Sequence, residues 1–136
     1  MDHQIFRSIL DNFNATSADI RASVLMTKDG LALVSASPHT HPASYYDEDR
    51  ISALSASILH LGHKFMDDFV GGELDQLHIK GKSGSMLAIH GHELALAVLT
   101  QPDAEAGVIF SRMEQVVDSL RCATLREPLK TIIGAA

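Results

Sequence analysis

A chain of 136 residues that is 46% apolar, without tryptophan, has room for one filled core and not two. A formal charge of −6, with lysines and arginines scattered singly, argues against an electrostatic nucleic-acid footprint. The lone Cys122 cannot form an internal disulfide.

The first ten residues, MDHQIFRSIL, lack the basic and apolar runs of a signal peptide, and no apolar run approaches the roughly 18 residues of a membrane span. A soluble, cytoplasmic protein without membrane insertion is expected. Ile5, Ile9 and Phe13, with Phe6 and Leu10 beside them, have helical spacing behind Asp2, a candidate N-cap. That helix is expected to end near Phe13. Ile20 to Thr27 and Leu31 to Ala36 are two apolar runs around Lys28-Asp29-Gly30, the pattern of a β-hairpin whose glycine takes positive φ.

A loop with two prolines leads to Asp47, Glu48 and Asp49, placed where the positive end of a following helix dipole favours them. The helix RISALSASILHLGHKFMDDF carries two stripes. Ile51, Leu54, Ile58, Leu61 and Phe65 form the stronger one, at steps of three and four. Ser52, Ala56, Leu59, His63 and Met66 form the weaker one. From Ile51 to His63 there is no formal charge apart from the histidines, so burial on both sides is expected. Ser52, Ser55, Ala56 and Ser57 are small enough to admit another backbone, and in so small a domain a second copy of the chain would supply it.

Gly71-Gly72 stops this helix, and three strands are expected after it. Glu73 to Lys80 is polar on both faces, as an edge strand tends to be. Ser85 to His90 is more apolar, and Leu94 to Thr100 is apolar throughout, like a central strand covered on both faces. The first and last strands should therefore pair in the middle of the sheet. After Pro102, a helix carries Val108 or Ile109, Met113, Val116 or Val117, Leu120 and Ala123, and Glu127-Pro128 should end it. The expected class is α+β: a five-stranded antiparallel sheet with three helices, in the order α-β-β-α-β-β-β-α, as one domain over 1–127 with a short tail at 128–136.

Candidate chemistry is sparse. Gly81-Lys82-Ser83 matches the end of a phosphate-binding loop, but Gln76 stands where its first glycine belongs and a strand follows instead of a helix. Ser85 takes the place of the last glycine of a nucleophile elbow. The chain has eight histidines, but the pairs His39/His41, His60/His63 and His90/His92 bring no cysteine or carboxylate at a zinc-ligand spacing, so no metal is expected. A protonation-sensitive contact through His60 or His63 is expected if that helix face pairs with a second subunit. Asp67 and Asp68 lie at one end of the central helix and Asp47 to Asp49 at the other, without converging. Cys122 has Arg121 beside it but no histidine near in sequence. No catalytic constellation and no cofactor site emerge, and the reading is of a protein that is not an enzyme.

The element order and four segments resemble the roadblock/dynein light-chain family. SVLMTKDGLALVSAS resembles its first hairpin, and DEDRISALSASILHLGHKF its acidic start and Ala/Ser-rich central helix. GGELDQLHIKGKSGSMLAIHGHELALAVLT is similar to its three-strand meander. PDAEAGVIFSRMEQVVDSL resembles its last helix, with Ala106-Gly107 where Leu-Gly is common. The likeness covers about residues 3 to 125.

That resemblance implies a roadblock/profilin-like fold whose sheet extends across a homodimer, through edge-to-edge third strands and side-by-side central helices. It implies a pairing set of Ser52, Ala56, Leu59 and His63 with Leu77 and Ile79. Bacterial relatives act with Ras-like small GTPases, and the dimer can stimulate hydrolysis by reshaping switch regions without catalytic residues of its own. Asp47, Asp49, Arg50, His60 and Lys64 are the partner contacts expected on this basis. The rival reading is a ligand-sensing module of PAS or GAF type, which shares a five-stranded sheet but needs a cavity with larger side chains and a few converging polar groups.

Overall fold

The computed structural model describes residues 3–37, 47–91 and 93–135, with side chains described for 4–37, 47–91 and 93–120. Helix α1 spans His3–Ala15, strand β1 Ile20–Thr27 and β2 Ala32–Ala36. Helix α2 spans Glu48–Phe65 and continues into a π-helical turn, Met66–Val70. Strands β3 (Leu77–Lys80), β4 (Ser85–His90) and β5 (Leu94–Thr100) come next, and α3 runs over Ala106–Ala135. The strands form one antiparallel sheet in the order β2-β1-β5-β4-β3, so the two most apolar strands lie at its centre as expected.

Alternation along the central strands builds two unequal cores. Leu25, Leu87, Ile89, Leu96 and Val98 point to the face covered by α1 and α3, where Phe6, Leu10, Phe13, Phe110, Met113 and Leu120 meet them. Val24, Met26, Ala88, Ala95 and Ala97 point to the other face, where Ala56 and Leu59 of α2 and Leu74 meet them. The first core is filled by large side chains. The second is lined by alanines, which let α2 lie close to the strands.

Three boundaries and the type of one helical turn differ from expectation. Helix α1 runs to Ala15, and its buried line is Phe6, Leu10 and Phe13, with Ile5 turned to solvent. The central helical stretch stops before Gly71-Gly72 as expected, but its last turn is π-helical, closed where the Gly71 N–H donates to the Met66 carbonyl. Residues 73–76 are not strand: Leu74 tucks beneath α2, and His90 Nε2 takes its carbonyl at 2.8 Å in place of a ladder bond. Helix α3 continues past Glu127-Pro128 to Ala135, because an interior proline removes one ladder bond and bends a helix without forbidding further turns. Met1, Asp2, the 38–46 loop with His39 and His41, and His92 lie outside the described residues, as do the side chains of Arg121, Cys122 and Ala123.

Candidate partner interface

Helix α2 starts at Asp47, whose Oδ1 accepts the Arg50 N–H at 3.2 Å, a standard N-cap bond. Glu48 accepts a hydrogen bond from Ser35 Oγ, tying the helix start to β2. Asp47, Asp49 and Arg50 are exposed there, and His60 and Lys64 are exposed some three turns further along. The five expected partner contacts thus all reach solvent but fall into two groups at opposite ends of one helix.

The expected pairing set divides differently. Ser52 is fully buried, and Ser55, Ala56 and Leu59 are buried beside it, all against the chain's own sheet. The Ser52 hydroxyl is satisfied by donating to the Asp49 carbonyl at 3.0 Å. The backbone that approaches this small-residue stripe belongs to the same molecule. Gly30, at φ +93° in the β1–β2 turn, lies so close that an added Cβ would stand 3.0 Å from Ala56 Cβ and 3.3 Å from Ala53 Cα. Ser52, Ala56 and Leu59 therefore face the core, which corrects their assignment to a pairing surface. His63 is partly buried, Leu77 is half-buried, and Ile79 is exposed on the β3 edge.

The stripe of larger side chains, expected to be buried, faces outward. Leu54 is 55% exposed, Leu61 64% and Phe65 58%, with Ile58 partly covered between them. Phe69 and Val70 extend this apolar line along the π turn, with the Phe65 and Phe69 rings 5.2 Å apart. Beneath Gly62 lie Leu74 and Leu77, the latter within 4.0 Å of an added Cβ, so the helix line adjoins the β3 edge. β3 bonds to β4 on one side and has no strand on the other among the described residues. Large apolar side chains on a helix, beside an open strand edge, form the surface signature of a protein–protein contact. Sequence reasoning named both stripes and gave the pairing role to the smaller one; the available signal was Ala88, Ala95 and Ala97, which let a helix backbone carrying small side chains come close to the sheet.

Clefts elsewhere are surface features. The gap between the start of α2 and the sheet, by Ala22, Val24, Ala36 and Ile51, holds about 10 Å³, room for one water at most. A cleft of about 400 Å³ at the other end of α2 is lined by Lys28, His60, His63, Asp67, Glu73 and His90. Within it the His63 and His90 rings meet edge-on, 4.3 Å between centroids. Burial, then the neighbouring His90 and Lys28 charges, hold the His63 pKa below its ordinary 6.5, against Asp67 and Glu73. Among the described residues no group of three or more His, Cys, Asp or Glu is arranged to hold a metal ion. Gly81-Lys82-Ser83 lies in the tight β3–β4 turn, where Gly81 N–H donates to the Gly84 carbonyl at 2.9 Å. No described helix is long and apolar enough to cross a membrane.

Comparison with known proteins agrees with this architecture. An uncharacterized protein of Methanocaldococcus jannaschii is 26% identical over 113 residues, covering 83% of this chain and 94% of the relative. The Roadblock/LC7 domain from Streptomyces avermitilis superposes with a TM-score of 0.77 at 24% identity, over 88% of this chain and 97% of that one. Myxococcus xanthus MglB superposes with a TM-score of 0.80 at 15% identity, over 92% of this chain and 91% of that one. The Roadblock/LC7 domain pattern matches residues 9–100, and the chain belongs to that family.

Proposed function

We propose that this protein is a non-enzymatic, homodimeric regulator or scaffold that binds a Ras-like small GTPase and modulates its hydrolysis without supplying catalytic residues. The observation that carries the reading is the outward apolar stripe of Leu54, Leu61 and Phe65 beside the open β3 edge, on a domain whose own core is already full. Two copies joined along α2 and β3 would cover that stripe and continue the sheet. The contact to the GTPase then falls to the polar ends of the helix, Asp47, Asp49 and Arg50 at one end and His60 and Lys64 at the other.

The test is calorimetric titration of the full chain with a purified Ras-like GTPase from the source organism, loaded in turn with GDP and with a non-hydrolysable GTP analogue. Binding that depends on the nucleotide supports the reading, and its weakening by Arg50→Glu or Lys64→Glu assigns the helix end used. Absence of binding to every such GTPase, in both nucleotide states, contradicts it. The ligand-sensing alternative needs a largely apolar, enclosed cavity, whereas the cleft of about 400 Å³ between the end of α2 and the sheet is lined mainly by Lys28, His60, His63, Asp67, Glu73 and His90, and the gap at the start of α2 holds about 10 Å³. A tight hit in a thermal-shift screen of nucleotides and metabolites would favour that alternative.

A further inference from the structure

His63, on the last turns of α2, and His90, at the end of β4, bring those two elements into contact at one end of the helix. His90 has a backbone carbonyl beside each ring nitrogen. Nε2 donates to the Leu74 carbonyl at 2.8 Å, and Nδ1 lies 3.2 Å from the Gly91 carbonyl. In the neutral ring only one of the two nitrogens can donate. The His63 ring meets it edge-on, 4.3 Å between centroids, so a charge on either ring is felt by the other.

Charged groups surround the pair on every side. Lys28 from the β1–β2 turn, His60 from α2, Asp67 from the π turn and Glu73 from the following loop line the cleft on the His63 side. Asp75, Glu114 and Asp118 line a second cleft of about 260 Å³, which His90 also borders. One proton on the pair is therefore balanced by nearby carboxylates. Two place like charges on touching rings.

We propose that His63 and His90 form a latch that holds at most one proton and releases the last turns of α2 from the β4–β5 hairpin when the medium turns acidic. Phe65, Phe69 and Val70 ride on those turns, so opening the latch disorganises the apolar line and weakens pairing. This last step rests on the pairing reading above; the latch itself does not.

The unfolded His63 ring takes its proton near 6.5 and the folded ring at lower pH. The folded state thus binds fewer protons in that window. Its stability is fully present above about 6.5, falls as the pH drops toward the folded value, and then levels off. Each unit of lowering makes about a tenfold difference in the folding equilibrium at the acid end.

The experiment is urea unfolding of the full chain from about pH 8 to pH 5, for wild type, His63→Gln and His90→Gln, spanning the ordinary histidine range. NMR titration of the His63 ring accompanies it in wild type and His90→Gln. Glutamine at 90 keeps a donor for the Leu74 carbonyl. The latch predicts that His63→Gln flattens the acid loss of stability and that the His63 midpoint rises in His90→Gln. Equal acid losses in wild type and His63→Gln, or a His63 midpoint indifferent to residue 90, would overturn it. Light scattering at both ends of the range separates the two claims. A chain monomeric at every pH removes the pairing reading and leaves the unfolding slopes to decide the latch.

Discussion

Gly30 illustrates how one residue can place a helix. Its φ of +93° lies in the left-handed region, and the β1–β2 turn it shapes presses against Ala53 and Ala56. Alanine at this position adds both strain and a Cβ at 3.0 Å from a neighbour that cannot rotate away. Gly30→Ala should cost about 1–3 kcal/mol of stability, read as a lowered urea midpoint with an unchanged slope. A polar pair marks the opposite face: buried Ser23 donates to Asn14 Oδ1 at 2.8 Å, binding β1 to the end of α1. Asn14 Nδ2 is the one buried side-chain nitrogen or oxygen among the described residues that lacks a partner.

Helix α2 is where the physics of the element decides the function. Its small stripe packs closely on Val24, Met26, Ala88, Ala95 and Ala97, and Ala56 is buried there, so an added side chain has little room. Ala56→Leu should destabilise the fold by about 1–3 kcal/mol through overpacking, measurable as a drop in the urea midpoint. The strand order, the central pair β1–β5 and all three helices were legible in the sequence, because apolar alternation and helical spacing are local signals. The orientation of α2 was not. With two apolar stripes, hydrophobicity alone favours burying the larger side chains of Leu54, Leu61 and Phe65. What reverses it is the close seating of the helix, held by the Gly30 turn against Ala53 and Ala56 and allowed by Ala88, Ala95 and Ala97, positions that meet the helix only in the folded sheet. The strand reading of residues 73–76 failed for a related reason: the Leu74 carbonyl bonds to a histidine side chain distant in sequence. Pro128 misled in another way, since a proline weakens one helical bond while the ladder on either side persists.

At the scale of the whole molecule, the domain completes its core and keeps one apolar surface outside it. Among the described residues that surface runs from Leu54 along α2 to Val70, beside Ile79 on the open edge of β3. A charge placed at Ala56 would test whether the monomer folds; a charge placed at Leu61 or Phe65 tests whether two monomers meet. The decisive measurement is the solution mass by light scattering of wild type and of Leu61→Glu with Phe65→Glu, alongside circular dichroism of both. The account predicts a wild-type dimer and a folded, monomeric double variant. A wild-type monomer, or a double variant that remains as dimeric as wild type, would contradict it.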